Sequence, residues 1–241
     1  MEKQKEEKII ERAGKEKEKT REEIEKEFIA RYNINLKKLE DEQSKLAKNL
    51  SIKDSIDFSL AERIAGIENV YFKNKIVSAI VVVVNHEIIE QEYFEDKIKF
   101  PYISGFRAYR ELPTMVSAFN KLNEKPDIVF VHGNGILHSR GLGLASHFAL
   151  SCNVPAIGIA DSLNKGEIKS EEVILNNRLV GKMLITKQGA NPIYISPGNN
   201  ISLKTAVELT KKFIKEPHKI PEPLRLARKY AKEVREEVFE I

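Results

Sequence analysis

Residues 127–150 read DIVFVHGNGILHSRGLGLASHFAL. An apolar run rich in β-branched residues ends at His132; Gly133 and Gly135 then flank Asn134, ahead of a small-residue segment with the pattern of a helix. A continuous apolar run closed by a glycine turn is the signature of a strand buried on both faces, the usual state of a parallel strand in an α/β sheet. The run AIGIA at 156–160 repeats it. Strand, helix and strand therefore alternate over residues 127–160, which predicts a parallel pair joined by a crossover helix.

Working outward, RIAGIENVYF (63–72), KIVSAIVVVVN (75–85) and EIIEQEYFEDKIKF (87–100) are rich in β-branched and aromatic residues, with a polar bend at Asn85-His86. They predict antiparallel strands. The helix pattern SGFRAYRELPTMVSAFNKLNE (104–124) precedes the opening stretch. The order β-β-β-α-β-α-β is that of a ribonuclease H-like α/β fold, a mixed sheet flanked by helices.

Residues 1–31 are almost all Lys, Glu and Arg, with Ile9, Ile10, Ile24, Phe28 and Ile29 as the large apolar groups. Acid and base pairs three or four apart support a solvated helix, but its apolar stripe is too thin for a conventional core. A partner-binding arm is the functional alternative for this segment. Leu36, Leu39, Leu46 and Leu50 fall at near-helical spacing and predict a helix that docks. The expected division is a charged helical extension, 1–35, and a main domain, 36–241.

Composition limits the possibilities. The 241 residues are 32% charged and 41% apolar, and no apolar run approaches the ~20 residues needed to span a bilayer. The single cysteine, Cys152, excludes an intrachain disulfide and is expected as a buried thiol. A cytoplasmic protein without a membrane partner is expected. The net charge of +4 permits a nucleic-acid partner without demanding one. The basic segment KKFIKEPHKIPEPLRLARKYAKEVR (211–235) is either a solvated face or a set of phosphate contacts.

In an open sheet, ligands bind at the carboxyl ends of the parallel strands. Glu68, His132 and Asp161 fall there, and the helix after the antiparallel strands brings in Glu111. Carboxylates with an imidazole could hold a divalent ion, which phosphodiester cleavage uses to stabilise charge and activate water. The alternative is that Glu68 and Asp161 are ordinary strand-end polar groups. Gly133 and Gly135 form either a tight turn or a backbone wall against a flat base, and their spacing leaves both open.

The stretches FPYISGFRAYRELP (100–113), KPDIVFVHGNGILHSRGLGLASHFAL (125–150), VPAIGIADS (154–162), GKMLITKQGANPIYISPGNNISL (181–203) and KIPEPLRLARKYA (219–231) decide further. In order and separation they resemble the endonuclease V family, from about Leu36 to Tyr230. The resemblance implies recognition of hypoxanthine (inosine) or distortion in DNA or RNA, in the manner of a repair nuclease. It also implies hydrolysis of a nearby phosphodiester with a divalent metal, magnesium or manganese. It makes Tyr102 the wedge that enters distorted nucleic acid, Gly105, Gly133 and Gly135 the walls of the extruded-base pocket, and His138 a group near the scissile phosphate. Arg140 joins this substrate-binding set.

Against the family pattern, Glu68 and His132 stand where aspartates are usual, Asp161 where a lysine is usual, and Ser104 where a proline is usual; Glu111 is unchanged. Two readings follow. Glu68, Glu111, His132 and Asp161 form a rebuilt metal centre that still cleaves, with zinc, manganese or iron suiting His132 better than magnesium, or the chain keeps the binding pocket and has lost the chemistry. An interaction scaffold using residues 1–31 is a third possibility.

Overall fold

The structure is a computed structural model and describes residues 21–187 and 189–239. The expectations for residues 1–20 lie outside the described residues. The chain divides into two units with the boundary between Lys38 and Leu39. Helix α1 (Arg21–Tyr32) belongs to the first, and α2 (Leu36–Leu46) begins in the first and continues in the second.

The second unit is built on one nine-stranded sheet. Its strands are β1 (Ile64–Phe72), β2 (Lys75–Val84), β3 (Glu87–Lys97), β4 (Ile128–His132), β5 (Ala156–Ala160), β6 (Glu167–Lys169), β7 (Glu172–Leu175), β8 (Arg178–Leu184) and β9 (Ile193–Asn199), in spatial order β3-β2-β1-β4-β5-β9-β8-β7-β6. β1, β4 and β5 are mutually parallel, and the other pairings are antiparallel. This is the mixed α/β sheet that the sequence predicts. The β2–β3 turn uses Asn85 and His86, both at positive φ (50° and 68°), as a tight two-residue hairpin requires.

Side chains alternate between the two faces of each strand. On one face Ile64, Val81, Ile128, Phe130, Ile157 and Ile159 pack against α5 (Leu203–Phe213) and α6 (Glu222–Phe239). On the other, Ala65, Ile67, Val82, Val129 and Val131 pack against α3 (Arg107–Phe119) and α4 (Leu144–Cys152), and Cys152 is buried there. Each helix buries an apolar stripe at 3.6-residue spacing, Ala108, Met115, Ala118 and Phe119 in α3 for example. Among the described residues no helix is long and apolar enough to cross a membrane.

Candidate active site

The parallel strands end side by side. His132 is paired with Ile159 in the β4–β5 register, and Ile67, the residue before Glu68, is paired with Val131. Glu68, His132 and Asp161 therefore share both a sheet end and, by alternation, the face covered by α6. They form a chain of contacts. His132 Nδ1 lies 2.7 Å from Glu68 Oε1, and its Nε2 lies 3.0 Å from Asp161 Oδ2.

Two residues that sequence reasoning missed, Arg228 and Lys219, complete this centre. From α6, Arg228 Nε donates to Glu68 Oε2 at 2.8 Å, and its Nη2 reaches Asp161 Oδ2 at 3.4 Å and lies 3.3 Å from His132 Nε2. Lys219 Nζ lies 3.0 Å from Asp161 Oδ1. On the opposite face, α3 brings in Glu111, 1% exposed, whose oxygens accept from Asn69 Nδ2 at 2.7 Å, the Tyr71 hydroxyl at 2.5 Å and Arg107 Nε at 2.5 Å. Asn69 and Tyr71 have the sheet parity opposite to Glu68. Glu111 is thus held by its own set of partners rather than by the His132 chain.

Burial makes the pairings of Glu68 and Glu111 obligatory, because an isolated buried charge is expensive, whereas Asp161 meets solvent. Burial pulls the His132 imidazole down, but hydrogen bonds to Asp161 and Glu68 outweigh it and raise its pKa above the ordinary value. Burial pushes the Glu68 carboxyl up, but the His132 hydrogen bond and the His132 and Arg228 charges hold it below its usual range. The His132 hydrogen bond, chiefly, holds Asp161 far down. With both ring nitrogens turned to carboxylates, His132 is favoured as an imidazolium.

The residues expected to meet substrate lie next door. A cavity of about 430 Å³ is lined by Tyr71, Tyr102, Arg107, Arg110 and Glu111, and Tyr102 is 68% exposed. Gly133 faces Leu144 and Arg107: a Cβ there would lie 3.1 Å from Leu144 and 3.5 Å from Arg107 Nη1. Gly135 is committed to packing, since a Cβ would meet the Pro197 carbonyl oxygen at 1.9 Å and its N–H donates to Ser196 Oγ. His138 Nε2 lies 3.1 Å from the Gly105 carbonyl oxygen, and burial pushes its pKa down to about 4, so it is a neutral donor there. Arg140 donates to that same oxygen from Nη2, at 2.8 Å. Among the described residues no group of three or more His, Cys, Asp or Glu is arranged to hold a metal ion.

The strand-end centre and the cavity of aromatic and cationic residues thus lie on one ribonuclease H-like mixed sheet. The family described as Endonuclease V matches residues 44–229, and the chain belongs to that family. It is 38% identical over 199 residues to Endonuclease V of Thermosipho melanesiensis, covering 78% of this chain and 86% of that protein. Among solved structures it is similar to the endonuclease V of Bacillus subtilis, with a TM-score of 0.80 and 28% identity, covering 86% of this chain and 94% of that one. It shares its fold with Ciona intestinalis endonuclease V, solved in complex with a 24mer DNA containing an inosine followed by a ribo-adenosine. That TM-score is 0.75 at 23% identity, covering 84% of this chain and 98% of that one.

Proposed function

We propose that this protein binds DNA or RNA carrying inosine or a comparable distortion, and that its strand-end centre works as a closed ionic network rather than as a metal-dependent hydrolase. The observation that carries this reading is Arg228, whose guanidinium lies among Glu68, His132 and Asp161. Two carboxylates, Glu68 and Asp161, face two fixed cations, Arg228 and Lys219, so the centre is neutral before the imidazole is counted, and across the sheet Glu111 is paired separately with Arg107. Protonated His132 makes it positive.

The family implies a divalent metal, and the donor set does not fit one. A magnesium or manganese centre needs carboxylate oxygens free to coordinate and a surplus of negative charge. Here the Glu68 and Asp161 oxygens already accept from Arg228, His132 and Lys219, and His132 presents no free lone pair when both ring nitrogens donate. These carboxylates are therefore committed to ion pairs rather than to a metal. Binding does not need one: with Arg107 paired to Glu111, Arg110 supplies positive charge to the cavity and the exposed Tyr102 supplies a ring face for a base, the combination by which proteins hold unstacked nucleotides. The inosine-containing complex of the Ciona relative supports the substrate class.

Metal-assisted cleavage near inosine by a rearranged centre is the second reading, and family membership together with the retained Glu111 favours it. The two separate in one experiment, using matched DNA and RNA oligonucleotides with and without a single inosine, in EDTA and in magnesium, manganese or zinc. The expected result is a preference for inosine that persists in EDTA, no cutting under any metal, and a loss of that preference in Tyr102→Ala. Metal-dependent cutting that disappears in Glu111→Gln would overturn the binding-only reading.

A further inference from the structure

Tyr102 sits on a segment, residues 98–106, that runs from the end of β3 to the start of α3, and its presentation depends on how that segment is held. The two ends are tied down by different means. On one side, Arg110 Nη1 donates to the Phe100 carbonyl at 2.8 Å. On the other, three donors from two separate parts of the chain converge on the Gly105 carbonyl: Gln43 Nε2 from α2 at 3.1 Å, and Arg140 Nη2 at 2.8 Å and His138 Nε2 at 3.1 Å from the loop after β4. A carbonyl has two lone pairs, so this oxygen is fully committed.

The donors are themselves coupled. Arg140 Nε donates to Gln43 Oε1 at 2.6 Å, Gln43 is 1% exposed, and the guanidinium lies 4.5 Å from the Phe106 ring centroid. His138 accepts from the Arg140 backbone N–H through Nδ1 at 3.3 Å, which fixes the tautomer that donates from Nε2. Gly105 has φ +81°, so the carbonyl is aimed at these donors by a conformation that side chains disfavour, and a Cβ there would lie 3.0 Å from Arg140 Nη2.

We infer that Gln43 and Arg140 are positioning residues that set the Tyr102 segment through the Gly105 carbonyl, and so control discrimination of the distorted base rather than general affinity for nucleic acid. The inference rests on the binding reading above. Gln43 touches Gly105 and Arg140, three and more residues from the exposed ring, and acts only through them. Arg140, expected as a substrate contact, acts here through the loop.

The chain has no tryptophan, so Tyr102→Trp places a single indole fluorophore at the loop. Its anisotropy and acrylamide quenching are measured in the otherwise native chain and with Gln43→Ala or Arg140→Lys, each checked for an intact cooperative melt. Arg140→Lys keeps the charge but cannot span Gln43 Oε1 and the Gly105 carbonyl together. In parallel, Gln43→Ala and Arg140→Lys in the Tyr102 background are titrated with inosine-containing and undamaged oligonucleotides. The expected result is lower anisotropy and stronger quenching of the introduced indole. Inosine preference should fall on the order of tenfold while affinity for undamaged strands stays within about twofold. An indole signal unchanged in a folded variant overturns the positioning role, and so does a uniform loss of affinity for both strands. If the native chain shows no inosine preference, the binding reading fails instead, and the mobility of the indole still decides whether Gln43 and Arg140 hold the loop.

Discussion

At His132 one imidazole bridges two carboxylates, and this fixes how stability responds to pH. The raised pKa of His132 means that its contribution is complete below the unfolded value of 6.5 and is lost as pH rises through the higher folded value. Glu68 and Asp161 are lowered, so theirs is complete above the unfolded values of 4.5 and 3.8 and is lost only as pH falls through the folded ones. All three operate together between roughly pH 4.5 and pH 6.5. His132→Gln is therefore expected to lower Tm most inside that window, with the gap to the native chain narrowing at higher pH; a gap that stays constant into the alkaline range would contradict the assignment. Arg228 yields a second test. In the native chain, millimolar manganese is expected to leave Tm unchanged, because a dication gains nothing from a neutral or positive centre. Arg228→Gln should melt lower without metal, having left Glu68 short of a partner, and should recover part of the loss with manganese. Equal stabilisation of both proteins by manganese would mean that the ion already binds in the presence of Arg228.

The element that delivers Arg228 is α6, and its seat depends on β1. Gly66 shares the sheet face of Ile64 and Glu68, and a Cβ there would lie 2.2 Å from the Pro223 carbonyl oxygen at the start of α6. Gly66→Ala must push the helix off the sheet, at a cost of about 3 kcal/mol or a Tm drop of roughly 6–12 °C. Differential scanning calorimetry checks it, and a change below about 1 °C would mean that the helix yields freely. The sequence made β1 to β5, α3 and α4 legible because each has a clear apolar period and breakers at its ends. It brought Glu68, His132 and Asp161 to one place because strand ends are easy to locate. It left out the edge strand β6, whose three residues are all exposed, and β9, where Pro197 and Gly198 argue against a strand although β9 pairs with β5 through a register shift. It also left out Arg107, Lys219 and Arg228. A cation on a helix or loop surface looks the same in sequence whether it meets water or, as Arg228 does, a buried carboxylate 160 residues away.

For the whole molecule, the net charge of +4 hides an uneven distribution. Residues 1–31 hold seven lysines and three arginines against ten glutamates, so this segment is neutral and the entire excess of positive charge belongs to residues 32–241. Phosphate neutralisation is what makes nucleic-acid affinity fall with salt, with a slope proportional to the number of phosphates engaged. A segment with no net charge adds little long-range attraction, whereas Arg107, Arg110, Lys219 and the exposed Lys229 and Lys232 of α6 lie in the part that carries the excess. Deleting residues 1–31 is therefore expected to leave both the affinity for an inosine-containing oligonucleotide and the slope of log affinity against log salt nearly unchanged. Arg110→Ala in the cavity should reduce that slope by about 1. Fluorescence anisotropy titrations across a salt series measure both. If the truncated chain lost several units of slope, the lysines of residues 1–31 would be contacting phosphate despite the neighbouring glutamates, and the nucleic-acid surface would extend beyond the sheet and its cavity into the charged segment.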